Sequence, residues 1–287
     1  MTVKEKAYAK INLFLDVTGK REDGFHEIAS VMHSVGLADE VEVETKKADY
    51  GCITLEMKNS DLPADERNLA YLAAEAFLDR TGITAAVHIR LEKHIPVCAG
   101  LGGGSSDAAA VLRALNASFD HPLSVLELCE LGATIGSDVP FCVVGGTRLC
   151  RGKGERMESY PMDPLTVVIC VPHAEKVATP EAYRLLDEAF DDFKEENPDL
   201  HEALYSFFAE DPILGMYNAF EAVLLPRLPA ADEIRAFFVE HGALGALMSG
   251  SGSAVFALFE KEEEAEAAVR ELPGAVLCHS APACLSL

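Results

Sequence analysis

The sequence predicts an α+β protein in two units. Three observations point there. Strand and helix patterns follow one another through the first half, the pattern loosens into glycine, charge and proline over 152–164, and beyond Leu165 a second set of strands and helices reads as a sandwich of the ferredoxin-like sort. A chain of 287 residues also exceeds one typical small core. The boundary is placed in the loosened stretch, giving units 1–160 and 161–287.

In chain order, Lys10 to Val17 reads as a strand, with Thr18-Gly19 turning it into the polar segment Lys20 to His26. Val41, Glu42, Val43 and Glu44 alternate as a half-buried strand does. From Asn68 to Arg80, Leu69, Leu72, Ala73, Ala76 and Phe77 recur at helical spacing, and Gly82 stands where a C-cap glycine belongs. Val87 to Leu91 is a short strand leading through Pro96 into a glycine-rich segment. Ala108, Val111, Leu112 and Leu115 trace a helical stripe, and Ser124 with Glu127 has capping-box spacing. In the second half, strands are expected at Leu165 to Val171, Ala246 to Met248, Ala254 to Phe259 and Ala275 to Cys278. Helices are expected at Glu181 to Phe193, Ala231 to His241 and Lys261 to Glu271.

With 49% hydrophobic and 25% charged residues the chain has an ordinary globular composition. Its net charge of −23 is not ordinary. It argues against nucleic acid as a partner, which calls for a basic stripe against the phosphates, and against docking on an anionic membrane. Any phosphate-bearing ligand must be held by local features. The acidic runs Asp187 to Glu196 and Glu260 to Glu266 read as solvated helix faces. Eight cysteines with no CxxC pair, several of them in apolar runs, read as reduced and mostly buried. The polar start and the lack of a bilayer-length apolar segment make the cytoplasm the expected compartment.

The segment Pro96-Val97-Cys98-Ala99-Gly100-Leu101-Gly102-Gly103-Gly104-Ser105-Ser106-Asp107 joins four glycines and two hydroxyls to the start of a helix. Glycines let successive backbone N–H groups turn toward one ligand, and a helix N-terminus adds unpaired donors, so phosphate cradling is the chemistry this favours. A bare loop of this kind can also be only a tight turn or a helix cap. No Lys follows the glycines as in a Walker loop, and no βαβ unit opens the chain as a dinucleotide fold requires. Arg148, Arg151, Lys153 and Arg156 concentrate positive charge that would draw a polyphosphate or simply form a solvated loop.

The glycine segment resembles the central motif of the GHMP kinase superfamily, Pro-x-x-x-Gly-Leu-Gly-x-x-Ser-Ser. Three more stretches resemble the branch of that family acting on a cytidine-diphosphate-linked methylerythritol: Ala9 to Leu13 with Lys20 to Glu27, Gly136 to Phe141, and Ser249 to Gly252. The resemblance implies a ribosomal-protein-like α/β N-terminal domain and a GHMP-type C-terminal domain with the nucleotide between them. It implies ATP as donor, Mg²⁺ as counterion and a small-molecule acceptor carrying a cytidine diphosphate group. By the same resemblance Lys10 and Asp138 are the catalytic pair. Pro96 to Ser106, with Asn68 and Leu69, surround ATP, and Asn12, Phe25, His26 and Thr179 touch the acceptor.

From the residues alone, Lys10 also reads as an edge-strand lysine, Asp138 as a turn cap, His26 as a turn histidine, and Asn68 and Thr179 as helix N-caps. Ser106 is a metal candidate by position only. The sequence departs from the family pattern at Phe25, where Tyr is more usual, at Cys98, where Gly is, at Ser253, where Pro is frequent, and at Asn218-Ala219, where Asp often follows the Asn. Two other readings fit the same motifs: a GHMP-type kinase of another alcohol or sugar, and a nucleotide-binding relative without catalysis.

Overall fold

A computed structural model of the chain describes residues 1–173, 177–189 and 198–286. Two long antiparallel strands, β1 (Thr2–Lys20) and β2 (His26–Lys47), open the molecule and pair along nearly their whole length, with Lys10 opposite Ser34. Thr18-Gly19 does not turn the chain. β-Branched Thr18 fits a pleat, and the strand passes Gly19 with a local register shift. The turn comes at Arg21–Phe25, where Gly24 takes φ +85° and the Asp23 carboxylate accepts the Phe25 N–H at 3.1 Å.

β3 (Cys52–Lys58), helix α1 (Leu69–Thr81) and β4 (Ala85–Glu92) follow, with β3 parallel to β4 and β4 antiparallel to β2. β4 alternates strictly, sending Ala85, Val87, Ile89 and Leu91 into the core. Helix α1 starts where the Asn68 side chain accepts the Ala70 N–H, a cap that stabilises by about 1 kcal/mol. It buries Ala70, Ala73, Ala74 and Phe77 and stops at left-handed Gly82.

Helices α2 (Gly103–Ser118), α3 (Val125–Ile135) and α4 (Val139–Val144) pack with α1 against this sheet. The run Ala108-Ala109-Ala110 is fully buried, since only side chains that small let α2 lie close to β1 and β2. Both halves of the Ser124–Glu127 capping box are formed. The loosened stretch around 152–164 holds a hairpin, β5 (Thr147–Gly152) with β6 (Arg156–Ser159), and β5 also pairs with β2. Glycine and charge there mark a hairpin turn, with Gly152 at φ +74° and Gly154 at φ +111°.

The rest of the chain runs β7 (Thr166–Cys170), α5 (Thr179–Ala189), α6 (Pro198–Glu210), β8 (Tyr217–Asn218), α7 (Glu221–Leu224), α8 (Pro229–Glu240), β9 (Gly245–Met248), β10 (Val255–Phe259), α9 (Glu262–Glu271) and β11 (Val276–His279). The four longer strands form an antiparallel sheet in the order β11-β7-β10-β9, the ferredoxin-like arrangement. Expected positions 190–193 of the helix now seen as α5, and 190–196 of the first acidic run, lie outside the described residues. Strand β8 leaves this half and pairs in parallel with β1 at Phe14 and Leu15, at the end of the order β3-β4-β2-β1-β8. All eight cysteines are unpaired, five of them buried.

Candidate active site

The glycine segment bridges the two sheets through its own backbone. The Lys10 N–H donates to Leu101 O at 3.0 Å, tying the loop to β1, and the Ala254 N–H donates to Ala99 O at 3.0 Å, tying it to the start of β10. The Ser249 hydroxyl closes a third link on Gly100 O at 3.0 Å. Gly100 sits at φ +79° so close to the Ser249–Gly252 turn that a Cβ there would stand 2.0 Å from Ser249 O. At Gly102 a Cβ would meet Lys10 Cγ at 2.9 Å. Cys98 holds φ +56°, the left-handed region that favours glycine, and is exposed. The opposing turn is organised by Asn218, whose side-chain N–H groups donate to Met248 O at 2.7 Å and Gly250 O at 2.9 Å. Asn218 needs no following Asp for this.

Loop, turn, β1 and α5 enclose a cleft of about 1160 Å³. Lys10 and Asp138 both line it, 3.7 Å apart (Nζ to Oδ2). Lys10 is 4% exposed and its ammonium also donates to Asn12 Oδ1 at 2.6 Å. The Asn12 amide in turn donates to Ser30 Oγ at 2.8 Å, and Ser30 to Phe14 O at 2.8 Å. This chain fixes the direction of a flexible lysine before any ligand arrives. Asp138 stands at the N-terminus of α4 but makes no capping bond there, so its carboxylate is left facing Lys10.

At the other end of the cleft the His26 ring stacks on Tyr183 of α5, with centroids 4.4 Å apart and planes inclined by 19°. Phe25 is 50% exposed at the cleft mouth and carries the Lys153 ammonium 4.5 Å from its ring centroid. Thr179, the first residue of α5, shares a hydrogen bond with the Ser251 hydroxyl at 2.9 Å, so α5 and the Ser249–Gly252 turn meet at the cleft wall. The lining carries six basic side chains (Lys10, Lys20, Arg67, Lys93, Lys153, Arg184) against three acidic ones (Asp107, Asp138, Asp187). Just outside the lining, Asp65 pairs with Arg67, Asp39 with Lys93, and Glu181 and Glu188 with Arg184, so much of this positive charge is balanced.

All the residues that the family resemblance places at the site line this cleft except Ser106. Its hydroxyl donates to Tyr8 O at 2.6 Å and lies 3.1 Å from Gly102 O, because at the fourth position of α2 it points back under the first turn into the core. Its side chain therefore faces the core and not the cleft. Asn68 lines the cleft with its side chain engaged in the α1 cap and on Pro63 O. Of the four basic residues near 150, only Lys153 lines the cleft. Arg148 is buried on Gly145 O and Ser159, Arg156 pairs with Glu27, and Arg151 lies near Glu158 and Tyr205.

Sequence reasoning missed Tyr183, Asp187 and the buried ion cluster behind the loop. Thr179, Tyr183 and Asp187 follow at i, i+4, i+8, one face of α5, and that spacing was the available signal. In the cluster Lys93 bridges Asp39 and Asp107, at 2.6 Å from the latter. Burial pushes the Asp107 carboxyl well above the usual carboxylate range; the Lys93 charge opposes this and Asp39 reinforces it.

A Lys–Asp pair beside a glycine loop in a ferredoxin-like frame fits a small-molecule kinase of the non-Walker class. The sequence profile described as "GHMP kinases N terminal domain" matches residues 68–146, and that described as "GHMP kinases C terminal" matches 189–276. A 4-diphosphocytidyl-2-C-methyl-D-erythritol kinase of Exiguobacterium sibiricum is 44% identical over 279 residues, covering 96% of this chain and 95% of that protein. One of Bacillus pumilus is 43% identical over 277 residues, covering 96% and 94%. A crystal structure of 4-(cytidine 5'-diphospho)-2C-methyl-D-erythritol kinase superposes with a TM-score of 0.77 at 35% identity, covering 98% of this chain and 100% of that one. Homoserine kinase from Cytophaga hutchinsonii shares the fold, with a TM-score of 0.75 at 21% identity over 98% and 95% of the two chains. The chain belongs to the 4-diphosphocytidyl-2-C-methyl-D-erythritol kinase family.

Proposed function

We propose that this chain transfers the γ-phosphoryl group of ATP to the 2-hydroxyl of 4-diphosphocytidyl-2-C-methyl-D-erythritol, a step of non-mevalonate isoprenoid precursor synthesis. The observation that carries the reading is the Lys10–Asp138 contact of 3.7 Å in a cleft shared with the glycine loop and the His26–Tyr183 stack. The units 1–160 and 161–287 are proposed as its two domains. No described helix is long and apolar enough to cross a membrane, and small soluble substrates fit an enzyme of the cytoplasm.

In this reading backbone N–H groups of Gly100 to Ser105 hold the phosphate tail, and Asn68 and Leu69 border the adenine. Asp138 orients the acceptor hydroxyl and takes its proton as the oxygen bonds to the γ-phosphorus and the bridging bond to ADP breaks. Because the transition state of phosphoryl transfer is largely loose, orientation is the greater part of that role. Lys10 stabilises the alkoxide charge, and Asn12 holds Lys10 in place. Phe25, His26 and Thr179 take up the cytidine end, together with Tyr183, where stacking on an aromatic contributes about 1–3 kcal/mol per base.

Among the described residues no three His, Cys, Asp or Glu side chains cluster as a metal site. Magnesium bound with a nucleotide needs only one or two protein oxygens, and Asp138 and Ser105, both on the cleft wall, offer them. When bound, the ion would neutralise phosphate charge.

The deciding experiment is ADP release against a panel of alcohols with and without the cytidine diphosphate group. Release only with the cytidine-bearing alcohol is expected. Release with other sugars or alcohols would move the chain to a different GHMP kinase activity, and nucleotide binding without release would remove catalysis.

A further inference from the structure

We infer that Asp187 is a positioning residue that fixes the tautomer of His26, leaving Nδ1 as an acceptor at the base end of the cleft and so favouring an aminopyrimidine over a uracil. The inference rests on the proposed function in taking this end as the cytidine subsite. It adds a residue outside the motifs and a chemical reason for base choice.

His26 opens β2 and Asp187 lies on the last turn of α5, so their contact crosses the cleft. His26 Nε2 is 2.7 Å from Asp187 Oδ1, and the Lys20 ammonium donates to Oδ2 at 2.5 Å. An ionised carboxylate only accepts hydrogen bonds, so the proton between the two groups belongs to Nε2. Partial burial works against the Asp187 charge, but the bonds from Lys20 and His26 outweigh it and hold the carboxyl below its ordinary range. A neutral ring protonated at Nε2 bears a bare lone pair at Nδ1.

Among the described residues none bonds to Nδ1 of His26, whose side chain is 9% exposed. Nor is the ring free to turn. Tyr183 covers one face, and Tyr183 is held edge-on by Phe220 at 4.9 Å and 85°. A pyrimidine entering this end must bring a donor to Nδ1. Cytosine has its exocyclic amine; uracil has a carbonyl at the same ring position, which would oppose one lone pair with another and leave both unpaired. Without Asp187 the proton is free to sit on either nitrogen, and an Nδ1–H can then donate to the uracil carbonyl.

The test has a spectroscopic and a kinetic arm. Long-range ¹H–¹⁵N correlation spectra of the full-length protein at pH 7.5 should show His26 protonated at Nε2 only. In competition assays CDP should bind at least about tenfold more tightly than UDP. Asp187→Ala should raise KM for the cytidine-bearing alcohol about tenfold, with kcat and the KM for ATP within about twofold, and should bring the CDP:UDP ratio toward one. Asp187→Asn, which can still offer a carbonyl oxygen to Nε2, should restore most of the preference. A proton on Nδ1 in the wild type, or an Asp187→Ala variant that keeps the CDP preference, overturns the inference. CDP binding with no preference over UDP overturns it while leaving the proposed function intact. Failure of CDP to compete at all overturns the cytidine reading and this inference with it. An unchanged KM for ATP shows that the variant has folded.

Discussion

Replacing Gly100 with Ala tests whether the phosphate loop depends on backbone contact between the two halves of the molecule. The added Cβ would stand 2.0 Å from Ser249 O, 3.0 Å from Ser249 C and 3.1 Å from Gly252 N, all backbone atoms that cannot rotate aside. Ordinary contact would require the loop and the turn to part by about 1 Å or more. The left-handed conformation at φ +79° adds about 1–2 kcal/mol for a residue with a Cβ. Parting the loops also weakens the Ser249–Gly100 and Ala254–Ala99 bonds, each contributing about 1 kcal/mol. A stability loss of about 2–4 kcal/mol follows. A displacement of this size at a reacting centre costs about 100-fold in rate, so kcat/KM should fall by at least that factor. Urea unfolding and an ADP-coupled assay read the two effects. Gly104→Ala is the control for folding, because its Cβ would meet only Leu69 Cδ1 at 3.5 Å, an ordinary contact. Wild-type stability and turnover in Gly100→Ala would refute the argument.

Asp138→Asn should lower kcat about 100- to 10,000-fold while the dissociation constant of a non-hydrolysable ATP analogue, measured by calorimetry, stays within about threefold; an equally active variant removes the carboxylate from the chemistry. His33 gives a pH dependence of stability. Its ring is buried between Thr147 Oγ1 and Ser280 Oγ at 2.8 Å each, and burial lowers its pKa from 6.5 to about 4. A folded-state pKa below the unfolded one means the stabilisation is complete above pH 6.5 and is lost as pH falls through about 4. Over that window the wild type should lose about 3 kcal/mol that a His33→Gln variant does not, as read by urea unfolding at a series of pH values.

Most of the frame was legible because its signals are local. Asn68 and Gly82 bound α1, Ser124 and Glu127 cap α3, and the alternation in β2 and β4 marks their buried faces. The misreading at Thr18-Gly19 arises because a turn dipeptide can also be absorbed by a long strand, here with a register shift, and the glycines near 152 punctuate a hairpin. In the site, motif residues were visible as motifs, but the direction of a side chain was not. Ser105 and Ser106 are neighbours of one type, yet one faces the cleft and the other the core. The i, i+4, i+8 spacing puts Tyr183 and Asp187 on the face of α5 that carries Thr179, but they meet His26 from about 160 positions away along the chain, and that partner is not written in the spacing.

The two-residue strand Tyr217–Asn218 has a mechanical consequence. It docks on β1 at Phe14 and Leu15, a few residues from Lys10, and its Asn218 side chain grips the turn that faces the glycines. The segment acts as a cross-brace between the two walls of the cleft. A wholesale hinge between the two walls would have to break the pairing with Phe14 and Leu15 and the Asn218 bonds to the turn together.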